Sequence, residues 1–478
     1  MNAARCLSVL LFGLLVASAT RGAERWRFIV TCDSRHALTG VNEPVLAELA
    51  AEIVRQGVDF LLYPGDLVHG MQVASEQFER QLWNWVAVMR PVYDAGIPVY
   101  VCRGNHEVGD VWDLEPGVEP DPSDNQSLRW LRVFGNSLHS ELMLPDDSPA
   151  GEEHMTYAFE HKNALIVALD QYGGLRHRFV HSVNQSWLDE RLGRNTQPHV
   201  FVFGHEPAFR TYHYDCLDAY PARRDAFWES IQHAGGRTYF CGHDHYYDHG
   251  AVDDRDGVPD NDVHQLIIAT AGAPFYTWEP PYRGDNSYFV PRQLFHVTSY
   301  GYILVAVDGP DVTLTWMERR GGDPLLLSPY VPVEVWGYTV EPRPVVLYPN
   351  GAQRLAASQP CTVQWQTVGG AGIGEVVIEY SANGGATWTF VDQVAGSGAY
   401  EWTVPAVDSE TCLLRVRDGS RPQVCDVSDR PFSISRCLQK FQGDLNGDCC
   451  VDFADLAILL SEWLACGDPF DPAADPLP

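Results

Sequence analysis

Carboxylate, amide and imidazole side chains recur in the first half of the sequence in five short clusters. They are Asp33, Gly65-Asp66-Leu67-Val68-His69, Gly104-Asn105-His106-Glu107, Gly204-His205-Glu206-Pro207 and Gly242-His243-Asp244-His245. Such a set suits two adjacent metal ions: one carboxylate bridges both, imidazoles and an amide oxygen complete the shells, and open positions remain for water. The glycine that opens four of the clusters lets the backbone turn sharply and approach an ion that a Cβ would hold away. An isolated His is ordinarily a surface or satisfied core residue, and His154, His161, His177, His181, His213 and His264 take that reading. His213, in Thr211-Tyr212-His213-Tyr214 just after the fourth cluster, is the outsider best placed to overhang a site.

The clusters fall where apolar strands end, the place where open α/β sheets bind ligands. Strand-like runs cover 26–32, 58–63, 98–102, 164–169, 199–203 and 237–241, separated by helix-like stretches such as 45–55, 76–90, 185–192 and 224–234. This alternation predicts an α/β domain. After Asp262 the pattern changes to consecutive strands, including 265–270, 301–307 and 312–317, which read as the closing strands of the same domain. Cys32, Cys102 and Cys241 sit in strands beside the clusters and read as small buried hydrophobes. A Pro-rich passage within 321–344 then reads as a linker, and 345–436 alternates apolar and polar residues between Gly, Asn and Ser turns, which predicts an all-β sandwich. Cys361 and Cys412 each share a face with alternate residues of their strands, a placement that allows a bridge between sheets.

At 478 residues the chain has room for several domains, at about 100–200 residues each. A hydrophobic fraction of 45% and a charged fraction of 20% are those of a soluble globular protein. The formal net charge of −30 excludes a nucleic-acid scaffold, which needs Lys and Arg to displace counterions from phosphates. Lys occurs only at Lys162 and Lys440, which removes a Lys-centred phosphate loop and a Lys base, so phosphate chemistry here must use metal or Arg. Met1 to Arg5, the apolar run 7–16 and Ala17-Ser18-Ala19 have the form of a signal peptide, and the run is too short to span a membrane. No later stretch is long enough to span. Of 12 Cys, Cys6 leaves with that segment. An odd number then remains in a compartment that permits disulfides, so at least one thiol lacks an internal partner.

In order and spacing the clusters resemble the calcineurin-like metallophosphoesterase family, whose pattern is an initial Asp, then Gly-Asp, Gly-Asn-His, Gly-His and Gly-His-x-His. The likeness spans roughly residues 25–320. It implies a four-layer α/β/β/α sandwich and two transition metals, iron, manganese or zinc. The activity implied is hydrolysis of phosphate mono- or diesters by in-line attack of a metal-bridging hydroxide. The resemblance makes Asp66 the bridge, with Asp33 and His245 on one metal and Asn105, His205 and His243 on the other. His106 becomes the acid that protonates the leaving oxygen. The departure is at the first motif, where most of the family reads Asp-x-His and this chain reads Asp33-Ser34-Arg35. Purple acid phosphatases, a related branch, fill the same gap with a Tyr three residues after the bridging Asp, the offset that His69 has here. His69 is therefore the expected replacement ligand, with His36 or a vacant position as alternatives. Arg35, freed from ligation, has a planar fork suited to clamping a phosphate oxygen, the plainer reading being a surface ion pair.

Near the C-terminus, Asp444, Asn446, Asp448, Cys450 through its carbonyl, Asp452 and Asp455 stand at the ligand positions of a calcium loop followed by a short apolar helix. The segment resembles one repeat of a bacterial dockerin. It departs in having a single repeat and in carrying Cys449 where a calcium loop has Gly. Cys437, Cys449, Cys450 and Cys466 lie close enough to staple so small a unit, and an acidic, solvated tail is the plainer reading. The expected organisation is a signal peptide at 1–23, a phosphoesterase domain at 24–320, a linker at 321–344, an immunoglobulin- or fibronectin-like sandwich at 345–436 and a calcium-loop module at 437–478. Two function classes remain open. One is a secreted hydrolase of small phosphoesters, targeted through its tail to a cell-surface or cohesin-like partner. The other is a surface binding protein whose phosphoesterase scaffold no longer turns over.

Overall fold

The computed structural model describes residues 25–37, 39–114, 118–257, 259–277, 282–320, 329–340, 342–368, 373–436, 441–447 and 449–463. The signal segment read at 1–23, the loop ligand Asp448, and Cys437 and Cys466 lie outside them.

Uninterrupted apolar runs become strands buried along their whole length, as in Phe60–Pro64, Ala164–Leu169 and His199–Gly204. Such runs belong in parallel sheets covered on both faces. The first sheet has the order Tyr330–Thr339, Asp311–Arg319, Gly301–Asp308, Arg25–Val30, Phe60–Pro64, Val99–Cys102, its last three strands parallel. The second has the order Val290–Val297, Tyr247–Asp253, Val263–Ile268, Thr238–Cys241, His199–Gly204, Ala164–Leu169, Tyr157–His161, with the third to sixth parallel. The sheets share a core: Phe28 of the first stands edge-on to Phe201 of the second, ring centres 5.0 Å apart.

The helix Glu43–Gln56 starts with Pro44 and stops at Gly57, which is left-handed at φ 62°. It buries Val45, Leu46, Leu49 and Ile53 at helical spacing. The helix Ser75–Asp94 buries Phe78, Leu82, Trp85 and Met89 into the same cluster. A second cluster gathers Leu188, Phe227, Trp228 and Ile231 from the helices Gln185–Gly193 and Pro221–His233 with Leu165, Val167 and Val202 of the second sheet.

Tyr330–Thr339, inside the passage read as a linker, is instead the edge strand of the first sheet, paired antiparallel with Asp311–Arg319. Pro332 interrupts its sequence pattern, yet an edge strand leaves one side of its backbone unpaired and so tolerates Pro. Beyond it, a three-stranded and a six-stranded sheet enclose Val363, Trp365, Val376, Ile378, Trp402, Leu414 and Val416. Cys361 and Cys412 are both free thiols. Cys361 is only partly buried whereas Cys412 lies in the core, so the bridge that their strand positions allowed is not formed.

In the tail, Asp444 Oδ1 accepts the Gly447 N–H at 2.8 Å and its Oδ2 the Cys449 N–H at 2.9 Å. Asp455 accepts the N–H groups of Leu445, Asn446 and Asp452, and Asp452 caps the helix Phe453–Ser461. Cys449 takes φ 75°, the left-handed conformation for which Gly is usual at that loop position, and it is disulfide-bonded. Cys450 is exposed. No helix among the described residues is long and apolar enough to cross a membrane.

Candidate metal centre

Three of the clustered residues leave their strands in the left-handed region, Asp33 at φ 64°, Asp66 at φ 50° and His243 at φ 72°. Side-chain-bearing residues persist there only where their surroundings over-determine them. The Asp33 N–H donates to Gly65 O and the Ser34 N–H to Asp66 O, tying the first two strand ends together. The buried Glu107 carboxylate accepts the N–H groups of Gly104 at 2.8 Å, Asp66 at 2.9 Å and Val68 at 3.2 Å. A Cβ on Gly104 would stand 2.1 Å from Asp66 Oδ1, so only glycine admits that carboxylate.

Ligand atoms of Asp33, Asp66 and His205, all buried, lie within 4.8 Å of one another. Asn105 Oδ1 is 3.0 Å from His205 Nε2 and 3.1 Å from His243 Nδ1, and His205 Nε2 is 3.3 Å from Asp66 Oδ1. Asp66, Asn105, His205 and His243 therefore converge on one point. On the other side His245 Nε2 is 3.4 Å from Asp33 Oδ1. There Asp66 Oδ2 faces Arg35 Nε at 3.5 Å and His106 Nε2 at 3.8 Å. His69 is half-buried, its ring 5.6 Å from that of His106, and its Nδ1 has no hydrogen-bond partner among the described residues. His36 lies on the two-residue strand Arg35–His36, paired with Gly40–Val41.

Backbone carbonyls set the imidazoles. His205 Nδ1 donates to Pro64 O at 2.8 Å, His245 Nδ1 to Pro274 O and His106 Nδ1 to His69 O. A carbonyl only accepts, so in each ring the proton sits on Nδ1 and Nε2 is turned to the centre with its lone pair free. His243 is reversed, with Nδ1 at Asn105 and Nε2 3.7 Å from Asp215 Oδ1. Burial first, and then the Asp33 charge, push the Asp66 carboxyl up to about 7. Two like charges buried together call for a cation, and Asp33 Oδ1 has no hydrogen-bond partner among the described residues. Mixed carboxylate, amide and imidazole donors of this kind fit transition-metal ions.

The calcineurin-like phosphoesterase family model matches residues 39–247. Over that span the chain is similar to calcineurin-like phosphoesterases. Members of this family are generally metal-dependent phosphoester hydrolases. The matched span contains Asp66, Asn105, His106, His205, His243 and His245, and begins after the divergent Asp33-Ser34-Arg35. No curated protein matches the chain.

The structure adds residues around this centre that sequence reasoning passed over. Asp244 accepts the Tyr212 N–H at 2.9 Å, the His213 N–H at 3.3 Å, and the Thr211 hydroxyl and His213 Nδ1, pulling that loop over the centre. The His213 ring comes to 4.4 Å from His243. Tyr276 stacks on His245 at 4.3 Å, and its hydroxyl accepts Arg35 Nη2 at 2.9 Å. Gln171 Oε1 accepts the N–H groups of His205 and Glu206. Asp244 stood in plain view inside Gly242-His243-Asp244-His245, and its carboxylate was the available signal. Tyr276 and Gln171 had none.

Proposed function

We propose that this domain hydrolyses mono- or diesters of phosphate on small molecules at a dinuclear transition-metal centre. The carrying observation is the convergence of Asn105, His205 and His243 on one side of Asp66, with Asp33 and His245 on the other. On this reading Asp33, Asp66, His245 and His69 hold one ion and Asp66, Asn105, His205 and His243 the other, the ions being iron, manganese or zinc. When bound, the metals supply charge neutralisation at phosphorus and activation of water. The other roles belong to the chain. Arg35, anchored by the Tyr276 hydroxyl, donates to a phosphoryl oxygen as charge builds there. His106 is oriented by the His69 carbonyl and, once protonated on Nε2, delivers that proton to the leaving oxygen.

Within this reading the domain is a four-layer α/β/β/α stack, supported by the core shared between the sheets and by the separate helix cluster of the second sheet. The chain is exported, on the form of its N-terminus. Its 345–436 region is an immunoglobulin- or fibronectin-like sandwich, and its tail binds one Ca2+ through Asp444, Asn446, Asp448, the Cys450 carbonyl, Asp452 and Asp455. That tail serves a cell-surface or cohesin-like partner.

Metal analysis of purified protein, beside assays on p-nitrophenyl phosphate and its bis-ester, tests the function. Asp66→Asn and His205→Ala are expected to abolish metal-dependent turnover; an Asp66→Asn protein with unchanged turnover refutes the assignment. Arg35 standing against Asp66 Oδ2 favours the competing reading of a binding protein. Metal-replete wild type inactive on both esters would decide for it.

A further inference from the structure

Metal ligation explains the inner wall of the site but not its rim. Tyr276 lies face-on to His245, and Tyr212 lies face-on to Tyr276 at 4.8 Å with the rings within 9° of parallel. His213 stands edge-on to both tyrosines at 4.9 Å. A ladder of rings thus runs from a metal-ligand position to solvent. Tyr212 is 40% exposed and Tyr214 is 70% exposed, with the Arg210 guanidinium 4.3 Å over the Tyr214 ring. Aromatic rings carry a large hydrophobic driving force toward burial, yet this loop holds two of them open. It is not loose: Asp244, within the last metal-binding motif, pins the backbone of Tyr212 and His213. Arg35 pins Tyr276 from the other side. The rings are set in place before any guest arrives, which is how a preorganised site spares ordering entropy.

We propose that the outer face of Tyr212, backed by Tyr276, forms a subsite for a flat aromatic or heteroaromatic substituent of the phosphoester, such as the base of a nucleoside monophosphate. The proposal rests on the phosphoesterase reading and adds the class of ester. Tyr212 is one ring removed from His245, so a compact ester can set its phosphoryl group at the centre and its ring against the ladder. Stacking tolerates any base, since each has a π face. The net charge of −30 disfavours a polynucleotide and leaves a small ester as the guest.

The test uses the full metal-replete chain as wild type, Tyr212→Ala and Tyr212→Phe. Kinetics on a nucleoside monophosphate and on glycerol phosphate are measured beside equilibrium binding of the nucleoside monophosphate. In Tyr212→Ala the ratio of the nucleotide KM to the glycerol phosphate KM is expected to rise about tenfold, within the range for loss of one base–aromatic stack. Tyr212→Phe keeps the wild-type ratio. A ratio unmoved in Tyr212→Ala, or both KM values rising together, overturns the subsite. If wild type hydrolyses neither ester, the hydrolase reading fails by itself and binding decides. Weaker nucleotide binding by Tyr212→Ala then upholds the subsite, whereas equal binding or none overturns it.

Discussion

Asp170→Asn should unfold the two-sheet α/β domain at markedly lower temperature, because it strands a buried charge directly behind the loops of the candidate centre. Arg103, the residue before Gly104-Asn105-His106, is fully buried and donates from Nε to Asp170 Oδ1 at 2.8 Å, with Nη2 at 2.7 Å from the same oxygen. Nη1 reaches the Ser127 hydroxyl, and Nη2 also donates to Gly174 O at 3.2 Å. Asp170 Oδ2 accepts the N–H groups of Gly174 at 2.8 Å and Tyr172 at 3.1 Å. An Asn amide keeps one acceptor for Arg103 but must then turn its NH2 toward those two donors, leaving them unsatisfied. Breaking a buried ion pair from one side costs about 3–5 kcal/mol. For a domain of this size that corresponds to a fall in Tm of roughly 6–20 °C. Calorimetry on the metal-free full chain reads the shift. Asp308→Asn, which loses only the exposed pair with Arg25, should change stability by less than about 1 kcal/mol. An Asp170→Asn transition within about 2 °C of wild type would show that the pair does not clamp these loops.

Two further outcomes can be measured independently. His264 is buried, hydrogen-bonded to His249 and stacked on Trp336 at 3.9 Å. Burial, then the charges of His249, Arg237 and Arg292, hold it down at about 2. Below pH ~6.5 the unfolded chain takes up a proton that the folded chain refuses, so this contribution to stability is lost as pH falls. The loss between pH ~7.5 and ~5 is about 2 kcal/mol, and His264→Phe, which keeps a ring on Trp336, should remove that much of the pH dependence of the urea midpoint. Equal slopes for wild type and variant would contradict it. Titration calorimetry of the full chain with Ca2+ should show one site attributable to the tail, weakened at least about tenfold by Asp444→Asn through loss of ligand charge. Identical isotherms for the two proteins would exclude the calcium loop.

The donor side chains, their order and their places at strand ends were legible because turn chemistry and apolar periodicity are local properties of a chain. Phe60-Leu61-Leu62-Tyr63 announces a buried strand, and Gly65-Asp66 announces its abrupt end. The strand Tyr330–Thr339 was hidden by Pro332, since only pairing with Asp311–Arg319 makes it an edge. Tertiary structure alone decided which donors meet. Asp33 faces His245 across the two sheets, and the carbonyls of Pro64, Pro274 and His69 choose the proton position of three imidazoles. Arg35 reads in sequence as a missing ligand, and its 3.5 Å approach to Asp66 Oδ2 exists only once the first two strands lie parallel. Electrostatic interactions depend on distance and burial, neither of which is written in residue order. Residue order therefore decides which donor groups the chain carries, and the stacking of the two sheets decides which of their atoms meet.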